Sequence, residues 1–219
     1  MKKVFASVLA LCLALALVGC GSADTPADNN ANNDADSASV TVAPMQSAID
    51  VNSITDADLA VSFDAASLHT EGDAATLGVT VYDYELYDAA EVSQLKVGDT
   101  ITANGQDIVI TSIDTTDGVT INGGFEQDGL SLVGGEGGTM YAVGPNDSKT
   151  YRELGAVTLP LSDGCQLLDS SDLAGGEIKV TLPDLAAYLA EDMVTFQPAN
   201  TTVTVAGGQI TGITRVYMP

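Results

Sequence analysis

The sequence has no tryptophan, a single histidine, three cysteines, and 7 basic residues against 30 acidic ones. Each shortage excludes something. One histidine and no cysteine pair cannot build a zinc site of the usual kind, which draws on several such ligands. No Gly-x-Ser-x-Gly segment occurs, so the nucleophile elbow of serine hydrolases is missing. The glycine pairs Gly123-Gly124, Gly134-Gly135 and Gly137-Gly138 are not followed by Gly-Lys-Ser or Gly-Lys-Thr, so they form no phosphate loop. A formal charge of −23 repels phosphate backbones and anionic headgroups, which argues against nucleic acid as a partner. It suits a domain kept soluble at a crowded surface, or one that collects cations.

What is present begins at the N-terminus. Lys2 and Lys3 precede an uncharged run from Val4 to Val18. Fifteen residues fall short of the roughly 20 that a permanent membrane-spanning helix requires. A basic start, a short apolar stretch and a small-residue exit are the pattern of a secretory signal peptide. The exit, Leu17-Val18-Gly19-Cys20, resembles the lipobox of bacterial lipoprotein precursors. That resemblance covers residues 1–20 only. It implies removal of residues 1–19 and a lipidated Cys20 (diacylglyceryl and, in that family, a further palmitate-type chain). It also implies an anchored protein at the extracytoplasmic face of a cell membrane. Two acyl chains hold a protein where one gives marginal binding, at about 0.8 kcal/mol per buried CH2. Gly21 is not the Asp that retains lipoproteins in the inner membrane of two-membrane bacteria, and the Asp/Asn-rich stretch that follows favours a single-membrane species.

Cleavage there removes Lys2 and Lys3 and no acid, taking the charge from −23 to −25. Cys12 leaves, Cys20 carries lipid, and Cys165 remains as the lone side-chain thiol, so no intramolecular disulfide can form. Residues 20–44 are Ala, Asp, Asn and Ser with no aromatic residue. Such a segment cannot bury enough apolar surface to offset chain entropy and reads as a disordered acidic linker. Its Asp/Asn runs lack the central Gly and terminal Glu of a calcium loop.

From Met45 to Pro219 the composition changes to Val, Ile, Leu, Thr and Tyr in short runs between Gly, Asn and Asp. This spacing predicts one all-β domain, an antiparallel sandwich or barrel with one or two short helices. Asn104-Gly105 predicts a type I′ hairpin, since both residues accept positive φ. Asp114–Gly118 and Gly207-Gly208 predict two more. Asp88, with Glu91 three residues on, predicts a capped helix. Pro183, then Leu185, Ala186, Tyr188 and Leu189, predicts a second. The Asp88–Asn122 cassette, centred on Leu95-Lys96-Val97-Gly98-Asp99, looks like a strand pair common in small bacterial barrels and implies no activity.

Candidate chemistry is sparse. Ser162-Asp163-Gly164-Cys165 resembles the Ser-x-Gly-Cys of L,D-transpeptidases, which implies a cell-wall enzyme with Cys165 as nucleophile. The apolar residue and Arg that follow in that family are replaced by Gln166 and Leu167. The only histidine, His69, lies almost a hundred residues earlier in a segment that reads as a loop. A thiol needs a base or a positive field to ionise near neutral pH, so an inert buried thiol is the competing expectation. In the strand reading of residues 76–87, Asp83 and Glu85 share one face and Tyr82, Tyr84 and Leu86 the other. The tyrosine face is expected in the core and the acids in water. Asp83 and Glu85, with Asp88, Asp114 or Asp117, also compose a calcium candidate, or a glycosidase acid pair beside tyrosines able to stack on sugars. The function expected is a lipid-anchored, non-enzymatic binding or interaction module facing a wall component, another surface protein or an extracellular ligand. The transpeptidase and the calcium-stabilised module are the alternatives.

Overall fold

The computed structural model describes residues 39–72, 74–191 and 195–218. In chain order they form β1 (Thr41–Val42), β2 (Ala57–Ser62), β3 (Leu68–Glu71), β4 (Ala74–Tyr84), β5 (Leu86–Asp88) and α1 (Ala89–Val92). Then come β6 (Thr100–Ala103), β7 (Gln106–Val109), β8 (Ile113–Asp114), β9 (Val119–Ile121), β10 (Leu130–Gly134) and β11 (Thr139–Val143). The chain continues through β12 (Tyr151–Ser170), β13 (Ile178–Thr181), α2 (Leu182–Leu189), β14 (Thr201–Ala206) and β15 (Gln209–Val216). The fold is all-β with two short helices. The lipobox with Cys20, and the linker as far as residue 38, lie outside the described residues.

Five of these strands close on themselves. β2 pairs with β4 and β14, β14 with β15, β15 with β12, and β12 returns to β4. Numbered along the chain, the ring runs 1-2-3-5-4, a Greek-key path that leaves no open edge among its members. β3 and β13 flank it on β4 and β12. Alternation fills the interior: Leu59 and Val61 of β2, Leu77, Val79 and Val81 of β4, and Val203 and Val205 of β14 are all buried. α2 opens with Pro183 in its first turn and buries Leu185 and Leu189 against this core.

β12 makes the closure possible. Its first half, Tyr151–Pro160, pairs with β4, and its second half, from Leu161, pairs with β15. Gly155, Pro160 and Gly164 interrupt its apolar alternation, so the sequence does not read as one long strand here. Gly155 sits at a bulge with φ 142°. Pro160, which has no N–H, stands at the change of partner, where a ladder hydrogen bond is not required of it. The strand pairs are antiparallel apart from β12–β15 and β1–β6, which are parallel.

The segment between β4 and β12 builds a second apolar core within the same compact unit. Its walls are a five-stranded sheet, β5-β11-β10-β9-β8, and a three-stranded one, β1-β6-β7. Tyr87, Ile101, Ile110, Ile121 and Leu132 fill it. The three predicted hairpins form, joining β6 to β7, β8 to β9 and β14 to β15. In the first, Asn104 and Gly105 have φ 49° and 71°. Asp88 caps α1 by accepting from the amides of Ala90 and Glu91. His69 belongs to β3, in register with Thr76, and not to a loop.

Composition put the start of the folded body at Met45, but it begins earlier. Val42 is buried, β1 pairs with β6, and the Val40 amide donates to Asp99 Oδ1 (2.9 Å). That hydrogen bond, followed by one from the Lys96 amide (3.0 Å) and the Lys96 charge, outweighs burial and holds the Asp99 carboxyl below its ordinary range. The Asp of the Lys-Val-Gly-Asp turn is therefore the dock for the chain that arrives from the linker. Replacing Asp99 by Ala is expected to speed hydrogen exchange at the Val40 amide by about tenfold or more, with barrel amides such as Val79 unchanged.

A polar network closes one end of the barrel. Arg215 Nε donates to Asp169 Oδ2 (2.7 Å), Tyr188 Oη donates to the same oxygen (2.5 Å), and Arg215 Nη2 donates to Ser171 Oγ (2.6 Å). The guanidinium also lies 5.3 Å from the centre of the Phe196 ring, which itself stacks on Phe63. Burial opposes ionisation of Asp169, but the Tyr188 and Ser171 hydrogen bonds and the Arg215 charge outweigh it and keep the carboxyl below the usual range. A carboxyl with a lowered folded pKa contributes stability above its unfolded value, near 3.9, that is lost as pH falls through the folded value. Urea unfolding followed from pH 7 to pH 2 should show this loss below about pH 4, and Asp169→Asn should flatten it.

Candidate functional site

The outer face of the β4–β12 pair carries the groups that can meet a ligand. In β4 the buried residues are Ala75, Leu77, Val79 and Val81, so Gly78, Thr80, Tyr82 and Tyr84 point outward. Opposite them on β12 stand Thr158, Ala156, Glu153 and Tyr151. The expected facing of this strand is thus reversed: the tyrosines lie outside the barrel and the acids fall on its inner side. The physical reason is register, since the odd positions were already committed to the core by Leu77, Val79 and Val81.

At the barrel rim the two acids find different partners. Asp83 accepts from Ser47 Oγ (2.6 Å) and from the Tyr84 amide (2.8 Å). Glu85, between β4 and β5, is only 1% exposed. The Asn104 amide donates to its Oε1 (2.6 Å), while Oε2 is buried with no hydrogen-bond partner among the described residues. Arg152 shares this position: one guanidinium nitrogen donates to the Met45 carbonyl, and its buried Nε has no partner. Burial first, then the adjacent Glu85, pushes the Tyr87 hydroxyl well above its ordinary value. That hydroxyl donates to the Thr102 carbonyl (2.9 Å).

Glu85 and Arg152 line a cavity of about 560 Å³ together with Tyr82, Tyr151, Glu153 and Pro44. Tyr82 and Tyr151 also line a second depression, of about 240 Å³, that continues toward Thr202 and Thr214 on β14 and β15. A third, of about 580 Å³, lies farther along the same strand pair over Gly78, Thr80, Ala156 and Thr158, with Ser62 and Asp64 at its side. Tyr82 Oη hydrogen-bonds Ser62 Oγ (3.1 Å), so this ring stands between the third depression and the other two. Tyr84 packs on Tyr151 (ring centres 4.7 Å apart) and edge-on to Tyr141. Lys149 Nζ sits 3.7 Å from the Tyr141 ring centre and 4.9 Å from that of Tyr84. Two of the few cations of the chain, Lys149 and Arg152, are therefore gathered at this tyrosine cluster.

The sequence candidates distribute unevenly over this picture. Glu85, Asp83, Tyr82, Tyr84, Tyr141 and Tyr151 converge on one region. Asp114 and Asp117 do not join them. Asp114 accepts from Thr116 in its own turn and lies on β8, four strands across the sheet from β5. At about 4.8 Å per strand that separation is about 19 Å, too far for one ion. Asp88 is occupied in capping α1. Among the described residues no three His, Cys, Asp or Glu side chains approach closely enough to share a metal ion, so the calcium set of Asp83, Glu85, Asp114 and Asp117 is not a single site. Arg152 stands in no motif and escaped sequence reading, and Asn104 was read only as a hairpin residue, its contact with Glu85 being made by the backbone amide.

The Ser162–Cys165 resemblance does not build a site either. Cys165 lies inside β12 and is 3% exposed, in the barrel core. Burial pushes its thiol up to about 11. His69, on exposed β3, is two strands away through Thr76 and Pro160, with five further residues of β12 to Cys165. A thiol so placed is expected to resist an aromatic disulfide reagent in the folded protein. It should react at the rate of a free thiol only in denaturant, and rapid labelling of the native chain would contradict the burial.

Comparison with protein-family models, with curated proteins and with solved structures found no match.

Proposed function

We propose that this chain is a surface lipoprotein that binds rather than transforms its ligand. In this reading Cys20 carries the lipid, residues beyond it lead away from the membrane, and the barrel with its appended core presents the tyrosine cleft on the extracytoplasmic side. The address is supported by Lys2-Lys3, the short apolar run and Leu17-Val18-Gly19-Cys20. The binding reading is carried by one observation. A cavity of about 560 Å³ is lined by the buried Glu85 and the half-buried Arg152, and in each of them one buried side-chain atom, Oε2 and Nε, has no hydrogen-bond partner among the described residues. Leaving a buried polar group unpaired costs about 1–3 kcal/mol, and a chain that keeps two on residues lining one cavity keeps a hydrogen-bonding capacity that a ligand can use. Glu85 and Arg152 share this cavity with Glu153, Tyr82 and Tyr151, groups able to hold a ligand through hydrogen bonds.

The anchor is tested by expressing the full chain in a bacterium fed a labelled fatty acid. Label is expected on the wild-type protein in the membrane fraction. Cys20→Ser should abolish labelling and release the protein from membranes. Equal label on both would remove the anchoring half of the proposal.

A further inference from the structure

Resting on the binding reading above, we infer that the cleft takes a short, uncharged carbohydrate chain laid along the β4–β12 face. Four features select this ligand. The first is the pair of unpartnered atoms. Glu85 Oε2 is an acceptor and Arg152 Nε a donor, each buried without a partner among the described residues, and they belong to two residues that line one cavity. A hydroxyl group donates and accepts, so neighbouring sugar hydroxyls satisfy both atoms at once. A phosphate or carboxylate meets Arg152 and is repelled by Glu85; an ammonium meets Glu85 and is repelled by Arg152.

The second feature is the wall. Tyr82 and Tyr151 line both the cavity and the depression beside it, offering apolar ring surface with a polar tip. Sugar rings present the complementary surface, C–H faces bordered by hydroxyls. The third is the floor. Beyond Tyr82 the track continues over Gly78, Thr80, Ala156 and Thr158, with Ser62, Ser67 and Asp64 along its side. Most of this lining is small or hydroxyl-bearing and none of it is cationic, while Phe63, Val79 and Val157 supply its apolar part. From Gly78 to Tyr84 the track runs about 20 Å at the rise of a strand, which suits a chain of rings more than a single one.

The fourth feature is charge. At −23 over the whole chain, and with Asp58 and Glu153 among the lining residues, a polyanion is disfavoured there. A lysine-rich peptide is the rival that this charge admits. It fails to account for Arg152, a cation that would sit against it.

The deciding experiment is calorimetric titration of the full-length chain in detergent. The probes are chitotetraose in its N-acetylated form, cellotetraose and maltotetraose, with a lysine-rich decapeptide and a single-stranded decanucleotide as controls. Wild type, Tyr82→Ala and Glu85→Gln are compared, each checked by its melting curve for an intact fold. Saturable binding of at least one tetrasaccharide, weakened tenfold or more by both substitutions and unmatched by the controls, is the expected result. Binding of the peptide alone, with the same dependence on Tyr82 and Glu85, would overturn the carbohydrate assignment and leave the cleft as a binding site. No binding by any probe, or binding indifferent to both substitutions, would overturn the assignment and the cleft together.

Discussion

The structure depends on one strand holding two sets of partners. β12 pairs with β4 over its first ten residues and with β15 over its last ten, and so closes the sheet that β4, β2, β14 and β15 would leave open. Without it β2, β4, β14 and β15 would form an open sheet with two unpaired edges and a half-covered apolar face. With it, Leu59, Leu77, Val81, Val203 and Ile213 meet in one interior. The residues that look least like a strand are what allow this. Gly155 supplies the bulge and Pro160 stands where the partner changes, so the chain can bend from one neighbour to the other.

The cleft follows from the same closure. Near the rim β4 gives way to β5 and the second core, and β12 enters from it, so the side chains there belong to neither interior. Asp83 and Arg152 face each other across the ladder on the inward side, and Tyr82 and Glu153 on the outward side. The segment from Met45 to Ile49 crosses this junction and takes up part of the polar capacity. The Met45 carbonyl accepts from Arg152, Ser47 donates to Asp83, and the Met45 amide donates to the Leu86 carbonyl. What it leaves free is Glu85 Oε2 and Arg152 Nε. A buried network elsewhere, Asp169 with Arg215, Tyr188 and Ser171, is satisfied atom by atom and serves the fold alone. The contrast between the two is what sets the cleft apart.

Much of the architecture was readable from local pattern. β11 and β14 coincide with the apolar runs that predicted them, and the Asn104-Gly105 and Gly207-Gly208 turns sit where positive φ is needed. The cap of α1 at Asp88 and the first-turn proline of α2, Pro183, were equally plain. β12 was not, because its continuity comes from partners far along the chain while its own composition argues against a long strand. β3 was missed for a similar reason: Leu68–Glu71 is mostly exposed and owes its extended form to pairing with β4. The site was half visible. Glu85 and the tyrosines stood out as chemistry, but their facing was read the wrong way round.

By itself the sequence determined the class of fold, the turns, the caps and the exclusions that follow from one histidine and few cations, because each depends on residues within a few positions of one another or on composition alone. Tertiary structure decided the ring, the two parallel pairings, the burial of Glu85 and the isolation of Asp114 from it. Those depend on which strand lies beside which, and a shift of one residue in register exchanges the two faces of a strand. Arg152 and Glu85 are 67 residues apart in sequence and become neighbours only when β12 returns to β4.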